Sequence, residues 1–167
     1  MKNILIFSSN GLLSTNLRLR FKNNHNIKYI GSKNYDFKFN YFDGDLDSII
    51  ENSNFEVILN CIGYTNIDLC EKNRELAYKL NYDFPKSLVK ALNKYKKKSK
   101  LIHISTDHFY NNSNFSTENE TNVINYYSET KFQAEKILMD YNTLILRTNF
   151  IGKSLHQTKH TLTDWIF

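Results

Sequence analysis

Two hydrophobic rhythms alternate along the chain. Short β-branched and apolar runs, "NILIF" (3–7), "IKYIG" (27–31), "EVILNCIG" (56–63), "KLIHIST" (100–106) and "TLILRTNF" (143–150), have the pattern of strands, 3–7 buried and 56–63 fully so. Between them, apolar residues recur three and four positions apart over 12–24, 45–53, 71–80, 84–95 and 128–141, which predicts helices. Asp45 and Asp47 open the second of these with carboxylates suited to a helix N-terminus. Pro85 sits in a first turn, where its missing N–H removes no helical hydrogen bond. The stretch from 71 either continues into 84–95 or stops and restarts there.

Strands and helices that alternate from end to end predict an α/β fold, a doubly wound, Rossmann-like parallel sheet with crossover helices. Sheets of this kind bind ligands beyond the carboxyl ends of their strands. The residues to watch therefore follow strands: 8–14, 32–33, 61–63 and 105–107.

Composition narrows the picture. At 167 residues with a single proline and five glycines, the chain has room for one folded domain and no low-complexity linker. No apolar run reaches the roughly 18 to 20 residues that cross a bilayer, and the N-terminus has the pattern of a strand rather than of a cleavable signal. The expectation is a cytoplasmic protein off the membrane. Cys61 and Cys70 lack metal-ligand spacing and are too few for a secreted disulfide framework, so both are expected as reduced thiols, with no metal site. The net charge of +5 is densest at "KYKKKSK" (94–100), between a helix and a strand. Without interleaved aromatics, that run is a solvated connection rather than a nucleic-acid surface.

The sharpest chemical signal is "YSETK", which places Tyr127 and Lys131 one turn apart on a single helix face. A phenol ordinarily holds its proton to a pH near ~10, and an adjacent ammonium would lower that value and make an acid/base pair. A packed tyrosine with a solvated lysine explains the same pattern. About twenty residues upstream, "HISTDHFY" sets Thr106 and Asp107 at a strand's carboxyl end, although Asp107 is equally well read as a strand-end cap.

Together these segments resemble the extended short-chain dehydrogenase/reductases, most closely the dTDP-4-dehydrorhamnose reductases and related sugar-nucleotide reductases. "VILNCIGYTNIDLCE" is similar to that family's Asn-Ala-Ala-x-x-Thr-x-Val-Asp-x-x-Glu segment and "STDHFY" to its Ser-Thr-Asp-Tyr-Val-Phe. "YYSETKFQAE" is similar to its Tyr-Gly-x-x-Lys helix and "LRTNFIG" to its Leu-Arg-Thr-x-x-x-Gly strand. The resemblance implies an NAD(P)-dependent reductase of a nucleotide-activated 4-keto-sugar. It implies Thr106 as the catalytic hydroxyl and Tyr127 as the proton donor. Lys131 would lower the tyrosine's pKa and bind the nicotinamide ribose, and Asp107 would face the sugar. It also allows a homodimer through helices that include the one bearing Tyr127.

For the cofactor, the resemblance aligns Ser8, Gly11 and Ser14 with a Gly-x-x-Gly-x-x-Gly turn, and Leu12 and Leu13 open the helix behind it. Gly11 is kept at the middle position, where a Cβ would most obstruct a pyrophosphate; the serines are small enough to serve, provided Ser8 needs no positive φ. After the second strand, Ser32 and Lys33 stand where an acidic residue would hold a ribose 2′-hydroxyl, which favours NADP over NAD. Asp45 and Leu46 match the adenine-contacting segment, with a plain helix cap an equally good account of Asp45. Cys61, Ile62 and Gly63 match the residues that line the cofactor, with Ile62 bulkier than the usual alanine.

The family's chains continue beyond this length, so a single NAD(P)-binding Rossmann-like domain with most of the substrate lobe absent is expected, ending at the apolar Trp165, Ile166 and Phe167. Two other functions share the scaffold: a non-catalytic nucleotide-binding or regulatory subunit, and a sugar-nucleotide epimerase or dehydratase.

Overall fold

The computed structural model describes residues 2–8, 10–23, 26–31, 35–42, 44–110 and 115–152. Its six strands are β1 (Ile4–Phe7), β2 (Ile27–Gly31), β3 (Phe37–Lys38), β4 (Val57–Asn60), β5 (Lys100–Ser105) and β6 (Thr143–Arg147). They pair in the order β3-β2-β1-β4-β5-β6, every neighbour parallel. This is the doubly wound, Rossmann-like order, in which the winding reverses between β1 and β4 and opens a crevice at their carboxyl ends. The helices are α1 (Leu12–Arg20), α2 (Leu46–Glu51), α3 (Ile67–Lys72), α4 (Arg74–Tyr78), α5 (Phe84–Lys94) and α6 (Tyr126–Leu138). A π-helical turn, Lys79–Asp83, joins α4 to α5.

Alternation along each strand divides the core between two faces. Leu5 and Phe7 of β1 pack with Ile58, Leu101, Leu88, Leu92 and Leu138, so α5 and α6 cover one face. Ile6 and Tyr29 turn to the other, with Leu17 of α1 against them. The Phe7 and Phe84 rings meet edge to face at 5.2 Å between centroids, a favoured aromatic geometry.

Three boundaries differ from the sequence pattern, each for a local reason. The helical stretch expected from 71 is two short helices, because Asn66 and Asn73 each cap a new start: their Oδ1 atoms accept from the N–H of Leu69 and of Leu76. Helix α6 begins at Tyr126 rather than 128. Asn125 and Ser128 form a reciprocal capping box there, with Ser128 N–H donating to Asn125 Oδ1 at 2.8 Å. The edge strand β3, only two residues long, has too few residues to show a period. Behind it, Gly44 is demanded by space: a Cβ there would lie 2.3 Å from the carbonyl oxygen of Asn40.

A buried ion pair locks the far side of the sheet. Arg147 at the end of β6 donates from Nη2 to Glu135 Oε2 on α6 at 2.7 Å and from Nε to both carboxylate oxygens at 3.1 Å. Ser105 Oγ donates to the same carboxylate, and Arg147 Nη1 reaches the Tyr110 hydroxyl at 2.9 Å. Three elements and one loop thus share a single charge pair. No helix among the described residues is long and apolar enough to cross a membrane.

Candidate active site

Helix α6 supplies two residues to the carboxyl edge of the sheet. Tyr127 and Lys131, four apart, both turn inward and are 7% and 3% exposed. The helix is aimed by its first turn: the capping box fixes its start, and Glu71 of α3 accepts from the N–H of Tyr126 at 2.7 Å. Ser128, which stands where the resemblance expects glycine, is fully buried as half of that capping box.

Thr106 follows β5 directly and is 2% exposed. Its Oγ1 accepts from the N–H of His108 at 3.2 Å, which folds the strand end into a tight turn. The Tyr127 phenol lies beside Thr106 and Asp107. Burial raises its pKa above the ordinary 10; the Thr106 hydrogen bond pulls it down, while Cys70 and Asp107 push it up. Asp107 Oδ1 is buried and has no hydrogen-bond partner among the described residues. A buried carboxylate oxygen left unpaired is costly, and at a strand's carboxyl end it is positioned to accept from a ligand. The His108 ring stands edge-on to Tyr127, 5.8 Å between centroids.

Lys131 is placed differently from expectation. Rather than serving the phenol, Nζ donates to the carbonyl of Ile104 at 2.6 Å and lies 3.1 Å from His103 Nε2. The tyrosine's pKa is accordingly raised rather than lowered, because burial dominates and the lysine is tied to the sheet. Burial also depresses Lys131 to about 8, partly opposed by Glu135 and Cys61. His103 is fully buried in mid-strand, and its Nδ1 lies 3.1 Å from Asn60 Nδ2. Neither His103 nor Asn60 stood out among the candidate residues. Their signal was a polar residue on the buried face of a period-2 strand, His103 between Leu101 and Ser105 and Asn60 two positions after Ile58.

Asn81 is a further residue that periodicity could not single out. It is fully buried in the π-turn, where its amide clasps both the N–H and the carbonyl of Tyr64 and donates to Thr130 Oγ1 at 3.1 Å. The loop after β4 is thereby fixed to the helix layer that carries Tyr127. π-turns in helices often mark functional sites.

At the other end of the crevice, Gly11 precedes α1 in an extended conformation and, having no side chain, makes no side-chain cap to the helix's first turn. An uncapped helix N-terminus without a first-turn carboxylate favours an anion. Ser8, however, has φ of 88°, in the left-handed region, so the proviso attached to it fails. Ser14 is fully buried and satisfies its hydroxyl on Gly11 O at 3.1 Å. Replacing Ser8 by glycine should relieve the backbone and stabilise the fold by about 1 kcal/mol. A higher denaturation midpoint, together with tighter binding of a dinucleotide, is the expected readout; an unchanged midpoint would show the strain to be absent.

The remaining candidates divide. Cys61 sits in the crevice with its thiol pushed up to about 12 by burial. Gly63 is exposed, and a Cβ there would meet only ordinary contacts at 3.5 Å or beyond. Ile62 turns into the main core beside Phe7 and Phe84, so its extra bulk is spent on packing. Asp45 caps α2, its Oδ1 accepting from Ser48 N–H at 3.0 Å, and Leu46 joins the core. Lys33, Ser32 and the segment containing Trp165, Ile166 and Phe167 lie outside the described residues. Leu13 also borders an open groove of about 880 Å³ with Ile104, Phe132 and Arg147.

A family model described as the RmlD substrate binding domain matches residues 1–161. The chain belongs to that family. Among its relatives, dTDP-4-dehydrorhamnose reductase of Mycolicibacterium smegmatis is 32% identical over 91 residues, covering 52% of this chain and 27% of that protein. The probable low-salt glycan biosynthesis reductase Agl14 of Haloferax volcanii is 28% identical over 108 residues, 62% of this chain and 35% of that protein. In three dimensions, a hypothetical dTDP-4-dehydrorhamnose reductase from Sulfolobus tokodaii superposes with a TM-score of 0.76 at 29% identity, over 88% of this chain and 55% of that one. The Bacillus anthracis dTDP-4-dehydrorhamnose reductase, solved in complex with NADP, gives 0.75 at 22% identity over 93% of this chain and 57% of that one. The RmlD-family chain thus spans little more than half of these solved relatives and about a third or less of the curated ones.

Proposed function

We propose that this chain is the NAD(P)-binding domain of a reductase acting on a nucleotide-activated 4-keto-sugar, with Tyr127 as proton donor. The observation that carries the reading is the buried phenol of Tyr127 beside Thr106, with the unpaired carboxylate oxygen of Asp107 next to them at the carboxyl edge of a Rossmann-like sheet. Family membership and the relatives' names as dTDP-4-dehydrorhamnose reductases support it.

The residues fit a dinucleotide at most points. The amides of Leu12 and Leu13 behind Gly11 would hold a pyrophosphate, Cys61 and Gly63 would floor the cleft, and Lys33 would favour the 2′-phosphate of NADP over NAD. Once bound, a nicotinamide supplies hydride to the keto carbon. Thr106 hydrogen-bonds the ketone oxygen and so orients and polarises it. Tyr127 gives its phenolic proton to that oxygen as it becomes an alkoxide. A charged Lys131 within reach of the phenol would stabilise the phenolate left behind, and Asp107 would accept from a sugar hydroxyl.

Calorimetric titration of this chain with NADPH and NADH tests the cofactor half. Saturable binding is expected for both, tighter for NADPH; absence of heat with either would overturn the reading.

A further inference from the structure

The buried row Asn60, His103, Lys131 constrains its own protons. Ile62 N–H donates to Asn60 Oδ1 at 3.0 Å, which identifies that end of the amide as the oxygen. The opposite end is therefore an NH₂, and it faces His103 Nδ1 at 3.1 Å. An amide nitrogen only donates, so Nδ1 must accept and the ring must carry its proton on Nε2. Turning the amide over would set NH₂ against the Ile62 N–H and orphan a buried donor.

The His103 Nε2–H then points at Lys131 Nζ, 3.1 Å away. An ammonium has no lone pair and cannot accept, whereas a neutral amine accepts from His103 and still donates to Ile104 O at 2.6 Å. We propose that His103 is a positioning residue whose Nε2–H holds Lys131 as an uncharged amine on the sheet until a bound cofactor draws the lysine away and it takes up one proton from solvent. The cofactor clause rests on the functional reading above; the resting state of the pair does not.

The surroundings agree. From α6, Glu135 lies one turn beyond Lys131 but is engaged by Arg147 and Ser105, and Tyr127 lies one turn before it. From the end of β4, the Cys61 thiol stays protonated. From β5, burial foremost keeps His103 neutral. Burial, partly opposed by Glu135 and Cys61, leaves Lys131 at about 8, and a ring N–H aimed at Nζ acts in the same direction as burial.

Nitrogen NMR of the ligand-free chain labelled in histidine reads the ring directly. A neutral His103 protonated on Nε2 is expected between about pH 6 and 8; protonation on Nδ1, or an imidazolium, would overturn the proposal. His103→Phe identifies the signal and removes the donor. In that variant the proton affinity of Lys131, followed by the carbon signal next to Nζ, should rise about tenfold, the equivalent of one lost hydrogen bond. An unmoved lysine titration would also overturn it. If the variant fails to fold, the wild-type tautomer still decides.

NADPH titration near pH 8 in two buffers of different ionisation heat should show uptake of close to one proton by the wild type and clearly less by His103→Phe, a difference that mere packing by the ring would not produce. Equal uptake refutes the coupling. The NMR arms need no cofactor, so failure of NADPH to bind would fall on the functional reading and on the cofactor clause alone.

Discussion

Under the proposed function, Tyr127→Phe is expected to lower kcat for reduction of a dTDP-4-keto-sugar by about 10²- to 10⁴-fold, the usual worth of a positioned general acid. The substitution removes one oxygen and keeps the ring, which packs in a small cluster with Cys70 and Ala77 and meets His108 edge-on, so the fold and NADPH affinity should hold. Burial holds the phenol above its ordinary 10, so it carries its proton across the neutral range and is ready to donate. The rate should fall once pH rises through the phenol's value in the complex, because the acid is then spent. Single-turnover measurement of nicotinamide oxidation checks this, and a variant within threefold of wild type would remove Tyr127 from the mechanism.

Glu135→Gln should destabilise the fold by about 3 kcal/mol, the low end for breaking a buried ion pair from one side. The Glu135 side chain is 1% exposed and that of Arg147 15%, so the guanidinium would be left facing an amide NH₂ with little water to replace the lost carboxylate. The lower end applies because Arg147 retains Tyr110 and the Glu118 carbonyl. Replacing the pair together, Glu135→Leu with Arg147→Met, should recover most of the loss, since no buried charge then remains. Urea denaturation of the single and double variants measures both. A double variant as weak as the single would show that the loss comes from packing around Ser105 and not from the stranded charge.

Much of this was legible in the chain itself. Strands such as β1 and β2 announce themselves because a parallel sheet covers both their faces and leaves short apolar runs, whereas β6, at the sheet edge, leaves Leu144 and Leu146 exposed. Tyr127 and Lys131 were legible as a pair because helical spacing puts them on one face. What resisted was anything decided by a distant partner. Asn73 looks like any surface polar residue until its side chain caps Leu76 N–H, and the orientation of Lys131 depends on His103, 28 positions away. Ser8 offers the reverse case: its residue type is innocent, and only the backbone angle reveals the strain. Asp45 was legible both ways, and the structure uses it as a cap.

The π-turn at Lys79–Asp83 bears on how this chain tolerates change in length. A π-turn holds one residue more than the α-helical turn it replaces. Deleting one residue there would let α4 and α5 run on as regular helix, a gain in local hydrogen-bond geometry. With the extra residue gone, α5 keeps nearly its phase, and what moves is the bulge itself, Asn81 included. Asn81 could then no longer grip Tyr64 while α5 kept Phe84 and Leu88 in the core. The irregular turn is therefore a spacer that reconciles two registers, one set by the core and one by the loop after β4, and single-residue deletions should be selected against at this point of the helix more strongly than side-chain substitutions are.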